Sequence, residues 1–307
     1  MDLQPGHQYL WHGVTWASGT PTLLLADTAS ARLAPISLMG LNLGFRVAAP
    51  TRYCTGRYQF AHTFQVELRA CPRQAESDAG GQCPACLQED EFRFAHQFHK
   101  DGYTPPALAT YMNQPHLLYI ATFANTVSKV GTAAATRRQS RLDEQGPVHA
   151  TYLTEVSDGR TVRHLEDALS RQLGLTQTVR TAAKLAALAE PDPDRARTTH
   201  ENIVTSALST LADMGIRPTR HEWKPPAEGQ EIRSPQPPGR RVVYPHDLRD
   251  GEHRFLIQSC SGSQALARLS TDELDARYVL DLNVLKGRRI LTGDYTSPQT
   301  THQESLF

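Results

Sequence analysis

Apolar positions near the start of the chain fall into short runs broken by turn residues. Tyr9 to Trp16, Thr22 to Ala26, Ile36 to Leu38 and Leu41 to Val47 are separated by Ser18, Gly19, Pro21 and Asp27. This pattern predicts an antiparallel β module. Further on, His116 to Phe123 is apolar and aromatic enough for a strand, and Val127 to Gly131 reads as its hairpin partner across Ala124 to Thr126. Ala133 to Gln145 is composed of helix formers and stops at Gly146. His149 to Val156 returns to strand, and after the turn at Asp158 and Gly159 the residues Val162, Leu165, Leu169 and Leu173 recur at helical spacing. The predicted order is β-β-α-β-α.

Thr178 to Ala189 and Glu201 to Met214 predict two more helices, separated by a turn at Pro191 and Pro193. Lys224 to Arg240 contains Pro225, Pro226, Pro235, Pro237 and Pro238 and reads as an extended linker or rim. Beyond it, Phe255 to Ser259, Arg277 to Asn283 and Arg288 to Leu291 predict strands, and the tail from Ser297 is polar. Gly44-Phe45-Arg46-Val47 and Gly287-Arg288-Arg289-Ile290 echo each other faintly. The echo would let the two terminal β segments pair into a small barrel, although coincidence explains so short a repeat better. The fold class predicted is α+β. It divides into an N-terminal β module (1–50), a cysteine-rich segment (51–104), an α/β core with additional helices (105–222), and a Pro-rich linker with a C-terminal β module (223–307).

The cysteines change this picture most. Cys83-Pro84-Ala85-Cys86 is a CxxC knuckle, and Cys54 and Cys71 can complete a four-sulfur shell around one Zn2+. Such a shell is closed and structural, because no position remains for water or substrate. The polar, Gly-rich stretch between Gln74 and Gln82 leaves this segment too little apolar material to fold by burial alone. His62, His96 or His99 are alternatives to Cys54 as the fourth ligand. A thioredoxin-like redox pair is the competing reading of CxxC, but that motif opens a helix after a strand, and the Pro-rich polar surroundings do not predict one. Cys260, alone in an apolar strand, reads as a small buried hydrophobe.

Composition narrows the function classes. The chain has 307 residues, 39% hydrophobic and 21% charged, with a formal net charge of +0, so a large undirected grip on polyphosphate is not expected. A local basic patch is the remaining route to nucleic acid, and Thr126 to Lys184 carries a modest excess of Lys and Arg. No apolar run is long enough to span a membrane, and the polar opening lacks a secretory pattern, so a cytoplasmic protein with reduced thiols is expected.

One constellation goes beyond generic chemistry: Leu118-Tyr119-Ile120, Lys129-Val130-Gly131, Arg141 to Gly146, and Glu166. Together with Cys54-Thr55-Gly56, Cys71-Pro72 and Gln82-Cys83-xx-Cys86, it resembles a bacterial domain-of-unknown-function family. In that family a zinc segment precedes a YLA…KVG…R…QG core, and the core in turn resembles GIY-YIG domains. The resemblance covers roughly Thr51 to Leu173. It implies phosphodiester hydrolysis by a nuclease on a three-stranded sheet. Tyr119 would take the place of the first-motif tyrosine, Arg141 that of the helix arginine, and Glu166 that of the carboxylate holding Mg2+ or Mn2+. Lys129 stands where the superfamily has its second tyrosine, and an amine of ordinary pKa is a poor base.

Plainer readings stand beside each of these. Tyr119 can pack the strand, Arg141 can pair with Glu144 or Asp143, and Glu166 can pair with Arg163. The function classes carried forward are a metal-dependent nuclease or related phosphodiesterase acting on DNA or RNA, a zinc-containing nucleic-acid or protein interaction module without catalysis, and an enzyme that uses the same polar groups on a small-molecule substrate.

Overall fold

The computed structural model describes residues 3–77, 81–95, 98–99, 103–179, 181–237, 239–269 and 276–300. His96, Pro238 and the tail beyond residue 300 lie outside them. The chain opens with β1 (Gln8–Thr15), β2 (Thr22–Asp27), β3 (Leu33–Ser37) and the long β4 (Asn42–Arg52). Strand β1 carries a bulge at Trp11/Gly13, with Gly13 at φ +122°, a backbone setting that favours glycine. Tyr9, Leu10, Trp11 and His12 are all buried, so β1 is covered on both faces.

The cysteine segment contains a hairpin that the sequence pattern did not predict, β5 (Arg57–His62) and β6 (Gln65–Arg69), followed by the short helix α1 (Pro84–Glu89). Phe60 and Val66 of the hairpin pack with Phe92 and Tyr111, and Tyr111 belongs to α2 (Pro106–Met112). These aromatic contacts anchor the segment to α2.

A four-stranded sheet forms the next unit. Its strands are β7 (His116–Thr122) and β8 (Ser128–Ala134), then, after α3 (Arg138–Asp143), β9 (His149–Val156). The predicted helix from Ala133 is shorter than expected, because Ala133 and Ala134 pair with Leu117 and His116 and extend the strand. Cross-strand pairing overrides the helix preference of alanine here. Helix α4 (Gly159–Gln172) is capped by Asp158, which accepts from the Thr161 N–H at 2.8 Å. Helices α5 (Thr181–Ala189) and α6 (Pro193–Asp213) follow. Helix α6 starts eight residues before the predicted Glu201, since Asp192 caps it and Pro193 occupies the first turn, where its missing N–H costs nothing. The short β10 (His221–Glu222) completes the sheet, in the order β10-β9-β7-β8 with β7 antiparallel to both neighbours.

Every residue of β7 is buried, which requires cover on both faces. Leu118, Ile120, Val130 and Leu153 pack beneath Val162, Leu165 and Leu169 of α4 and Val204, Ala207 and Leu211 of α6. On the opposite face Leu117, Tyr119, Ala121 and Tyr152 pack with Leu142 of α3 and with Trp223.

Past the Pro-rich stretch, which holds the one-turn α7 (Gln230–Arg233), come β11 (Arg241–Val243), β12 (Glu252–Ser261), β13 (Gln264–Leu269), β14 (Arg277–Asp281) and β15 (Arg288–Thr292). These join the opening strands in one nine-stranded sheet, β11-β14-β13-β12-β4-β15-β1-β2-β3. Strand β4 is flanked by β12 and β15, both antiparallel, so the two ends of the chain share a core built on Trp11, Trp16, Phe45, Phe255 and Tyr278. The architecture is α+β with large antiparallel sheets. No helix among the described residues is long and apolar enough to cross a membrane.

Candidate functional site

The first candidate site is the cysteine cluster. Cys54, Cys71, Cys83 and Cys86 are all buried, none forms a disulfide, and their sulfurs lie within 4.8 Å of one another. The Sγ atoms of Cys71 and Cys83 are 4.0 Å apart, close to the ~3.8 Å edge expected of a tetrahedron with Zn–S bonds of ~2.3 Å. The backbone turns to meet the sulfurs: the N–H groups of Gly56 and Cys83 donate to Cys54 Sγ at 3.3 and 3.1 Å. Gly56 sits at φ +82°, and a Cβ there would lie 1.9 Å from the Arg69 carbonyl oxygen, so the turn after Cys54 requires glycine.

In the absence of a cation, burial pushes the Cys54 and Cys86 thiols up. Burial acts on Cys83 in the same direction, but the Cys86 N–H and neighbouring thiols outweigh it and lower Cys83. Four sulfurs packed this closely cannot all ionise without a cation between them, and a soft divalent ion such as zinc matches the donor set. Among the described residues the cluster contains Cys54 and neither His62 nor His99, and His99 instead faces Asp167 at 3.2 Å; His96 lies outside the described residues. CxxC does open a helix, with Cys83 at the N-cap and Pro84 in the first turn of α1, contrary to expectation. The other two sulfurs, rather than a missing helix, distinguish this knuckle from a redox pair.

The second candidate site lies at the β8 edge of the four-stranded sheet. Tyr119 is completely buried, and its hydroxyl accepts from Gln145 Nε2 at 2.5 Å. Its ring crosses Gly131, its register partner on β8: a Cβ at Gly131 would lie 2.5 Å from the Tyr119 Cζ and hydroxyl oxygen. The glycine of the KVG tripeptide is thus the space the tyrosine occupies. Burial raises the Tyr119 pKa, against the pull of Arg141.

Lys129 lies two residues from Gly131 on the same strand face and is half-buried. Burial and the nearby charges of Arg141 and Lys184 lower its pKa to about 8, with Glu166 opposing. Its pKa is therefore not the ordinary one expected from sequence. The charges of Arg141 and Glu166 both reach Tyr119 and Lys129, although α4, which carries Glu166, packs on the face of the sheet opposite Tyr119.

The acids around it are already engaged. Glu166 is buried and paired with Arg163 at 2.7 Å, as its plainer reading had it. Glu144 pairs with Arg137 at 2.7 Å. Asp143 accepts from Trp223 Nε1 at 2.9 Å and Gln139 Nε2 at 2.8 Å. Arg141 therefore pairs with neither Glu144 nor Asp143, and no acid partners Lys129 or Arg141 among the described residues.

Sequence reasoning passed over Gln145 and Lys184. Gln145 holds the Tyr119 hydroxyl, and Lys184 Nζ donates to the Gln145 carbonyl at 3.1 Å while lying 3.8 Å from the centre of the Phe123 ring. Gln145 stood inside the QG motif without a role. Lys184 entered only as the end of a locally basic stretch, being one lysine in an alanine-rich helix.

A family model described as "Protein of unknown function (DUF2797)" matches residues 59–222, from β5 to β10. No curated protein and no solved structure matches the chain.

Proposed function

The chain belongs to the DUF2797 family, and we propose that within it a structural zinc held by Cys54, Cys71, Cys83 and Cys86 supports a GIY-YIG-like sheet that binds the phosphodiester backbone of DNA or RNA. The observation that carries this reading is the uncompensated pair Lys129 and Arg141, left without acid partners while Glu144, Asp143 and Glu166 are engaged elsewhere. Phosphate oxygens would complete both cations, and the arginine can bind them as a two-pronged donor. The β-β-α-β-α order with β7 central supports the GIY-YIG likeness. The zinc ties the base of the β5–β6 hairpin, flanked by Cys54 and Cys71, to α1 and takes no part in chemistry.

Binding without cleavage is the reading favoured by the complete burial of Tyr119 and the pairing of Glu166 with Arg163. Neither group is free to reach a substrate or a hard cation as it stands. Lys129 supplies the observation on the other side: an amine lowered to about 8 is within the range of a general base near neutral pH. Hydrolysis would require Glu166 to exchange Arg163 for Mg2+ or Mn2+.

Titrating labelled single- and double-stranded oligonucleotides into the zinc-loaded protein at several salt concentrations tests the proposal. The expected result is salt-sensitive binding that Lys129→Ala and Arg141→Ala each weaken by about fivefold or more. Unchanged affinity in both variants, or no binding at low salt, would overturn it. Cleavage in the same samples on adding Mg2+ or Mn2+, lost in Glu166→Gln, would replace binding alone with the hydrolytic reading.

A further inference from the structure

A cavity of about 320 Å3 opens where the cysteine segment meets the nine-stranded sheet, and neither the sulfur cluster nor the Lys129 and Arg141 pair accounts for it. Its walls include His12 from β1, Lys286 from the turn before β15, and Tyr58, Gln82, Asp90 and Arg93 from the cysteine segment. The volume is at the small end of ligand pockets, which run from ~300 Å3 upward.

Two of these groups lack a protein partner for their side chains. His12 is 4% exposed, and neither ring nitrogen has a hydrogen-bond partner. The Thr55 backbone approaches it without making a bond of ordinary geometry. A buried, unpaired imidazole is costly unless something satisfies it. Lys286 is half-buried beside it: burial lowers its pKa, and no carboxylate pairs with it among the described residues.

The one acid in the wall does not supply the missing partner. Asp90 already accepts from the N–H groups of Tyr58 and Phe92, each at 2.9 Å, and from the Gln82 side-chain amide. Arg93 is partly engaged too, since it donates to the Leu87 carbonyl at 3.0 Å. What is missing is an acceptor for the Lys286 ammonium and for the protonated ring nitrogen of His12.

We propose that this cavity binds a small oxyanion, a phosphate or carboxylate group, with Lys286 as its counter-charge and His12 as a neutral hydrogen-bonding partner. The bound group would bridge the nine-stranded sheet and the cysteine segment, since Lys286 and His12 come from one and Gln82 and Tyr58 from the other. The site is separate from Lys129 and Arg141, which do not line this cavity.

Inorganic phosphate and acetate are titrated separately into the zinc-loaded full chain, and the backbone amide resonances of Thr55, Gly56 and Gln82 are followed. Saturable shifts with at least one anion are expected, phosphate alone pointing to a phosphate group and acetate alone to a carboxylate. Lys286→Met should weaken that binding about tenfold, Lys286→Arg should keep it within about threefold, and Lys129→Ala should leave it unchanged. Equal affinity in Lys286→Met would overturn the proposal, as would the absence of saturable shifts with either anion up to about 20 mM. If Lys286→Met loses its zinc or its fold, the wild-type shift map and Lys286→Arg decide instead. Shifts confined to residues around Lys129, or loss of binding in Lys286→Arg comparable to loss of the charge itself, would also overturn it.

Discussion

The cysteine segment and the four-stranded sheet both bury polar or ionisable groups, by opposite means. In the segment, the four sulfurs are buried together with, among the described residues, only Ala75 and Ala85 as partly buried apolar neighbours in their cluster. In the sheet, Tyr119, Lys129 and Glu166 lie against two apolar layers that would exist without them. A region ordered by coordination depends on one bound ion. A region ordered by apolar area tolerates changes among its polar groups, provided no side chain is forced into space another already fills.

Taking the metal from the first region should have the largest effect. Cys83→Ser or Cys86→Ser is expected to abolish stoichiometric zinc, near one per chain in the wild type by metal analysis, and to lower the melting temperature sharply. Structural zinc sites contribute on the order of 10 kcal/mol in small domains. The contrast breaks if the variants keep the wild-type melting temperature.

Within the sheet, Gly131→Ala should cost about 3 kcal/mol in denaturant unfolding, because the new methyl meets the fully buried Tyr119 ring. Zinc content should be unaffected, and a variant as stable as wild type would show that the tyrosine has room to move.

A smaller effect is expected from Asp143, whose carboxyl is raised to about 6, chiefly by burial, against hydrogen bonds from Trp223 and Gln139. The folded state therefore holds this proton more tightly than the unfolded chain does. Its contribution favours folding below the ordinary carboxylate range and is lost as pH rises from about 4 through about 6. Asp143→Asn should flatten the stability profile in that window by about 2 kcal/mol relative to wild type, and a profile of unchanged slope would remove the assignment.

The smallest effect should come from Glu166→Gln. Gln keeps an acceptor oxygen for Arg163 and loses only the charge of the pair, so the change should cost about 1 kcal/mol, with zinc content unchanged. Loss of zinc in this variant would mean the two regions are not energetically separate.

What the sequence revealed divides along the same line. The four cysteines were legible because few other arrangements of such residues make chemical sense in a polar segment. The hairpin of β5 and β6 was not, since Arg57 to Arg69 mixes charges with scattered aromatics and lacks a clean alternation. Strand β7 could be read from its unbroken apolar run. The length of α3 could not, because only the pairing of Ala133 and Ala134 across the sheet decides whether they continue a strand.

Lys129, Arg141 and Glu166 were named together from resemblance alone. That Glu166 is paired with Arg163 while Arg141 is left without an acid depends on side-chain directions that spacing does not encode. The faint echo of Gly44–Val47 in Gly287–Ile290 also gains a setting: Val47 and Ile290 are register partners on neighbouring strands.

That pairing also bears on how the chain is made. Arg52 on β4 waits for Arg288 until about 240 further residues have been translated, and β1 waits about 280 for the same strand, which takes roughly 12 to 56 s at ~5–20 residues per second. During that interval β1 and β4 have no partner on their facing edges, and such edges are open to pairing with other chains. The cysteine segment and the four-stranded sheet, made entirely of intervening sequence, can fold in the meantime. The nascent chain should therefore assemble from its middle outward, and crowding by neighbouring nascent chains would endanger its first strands more than any later part.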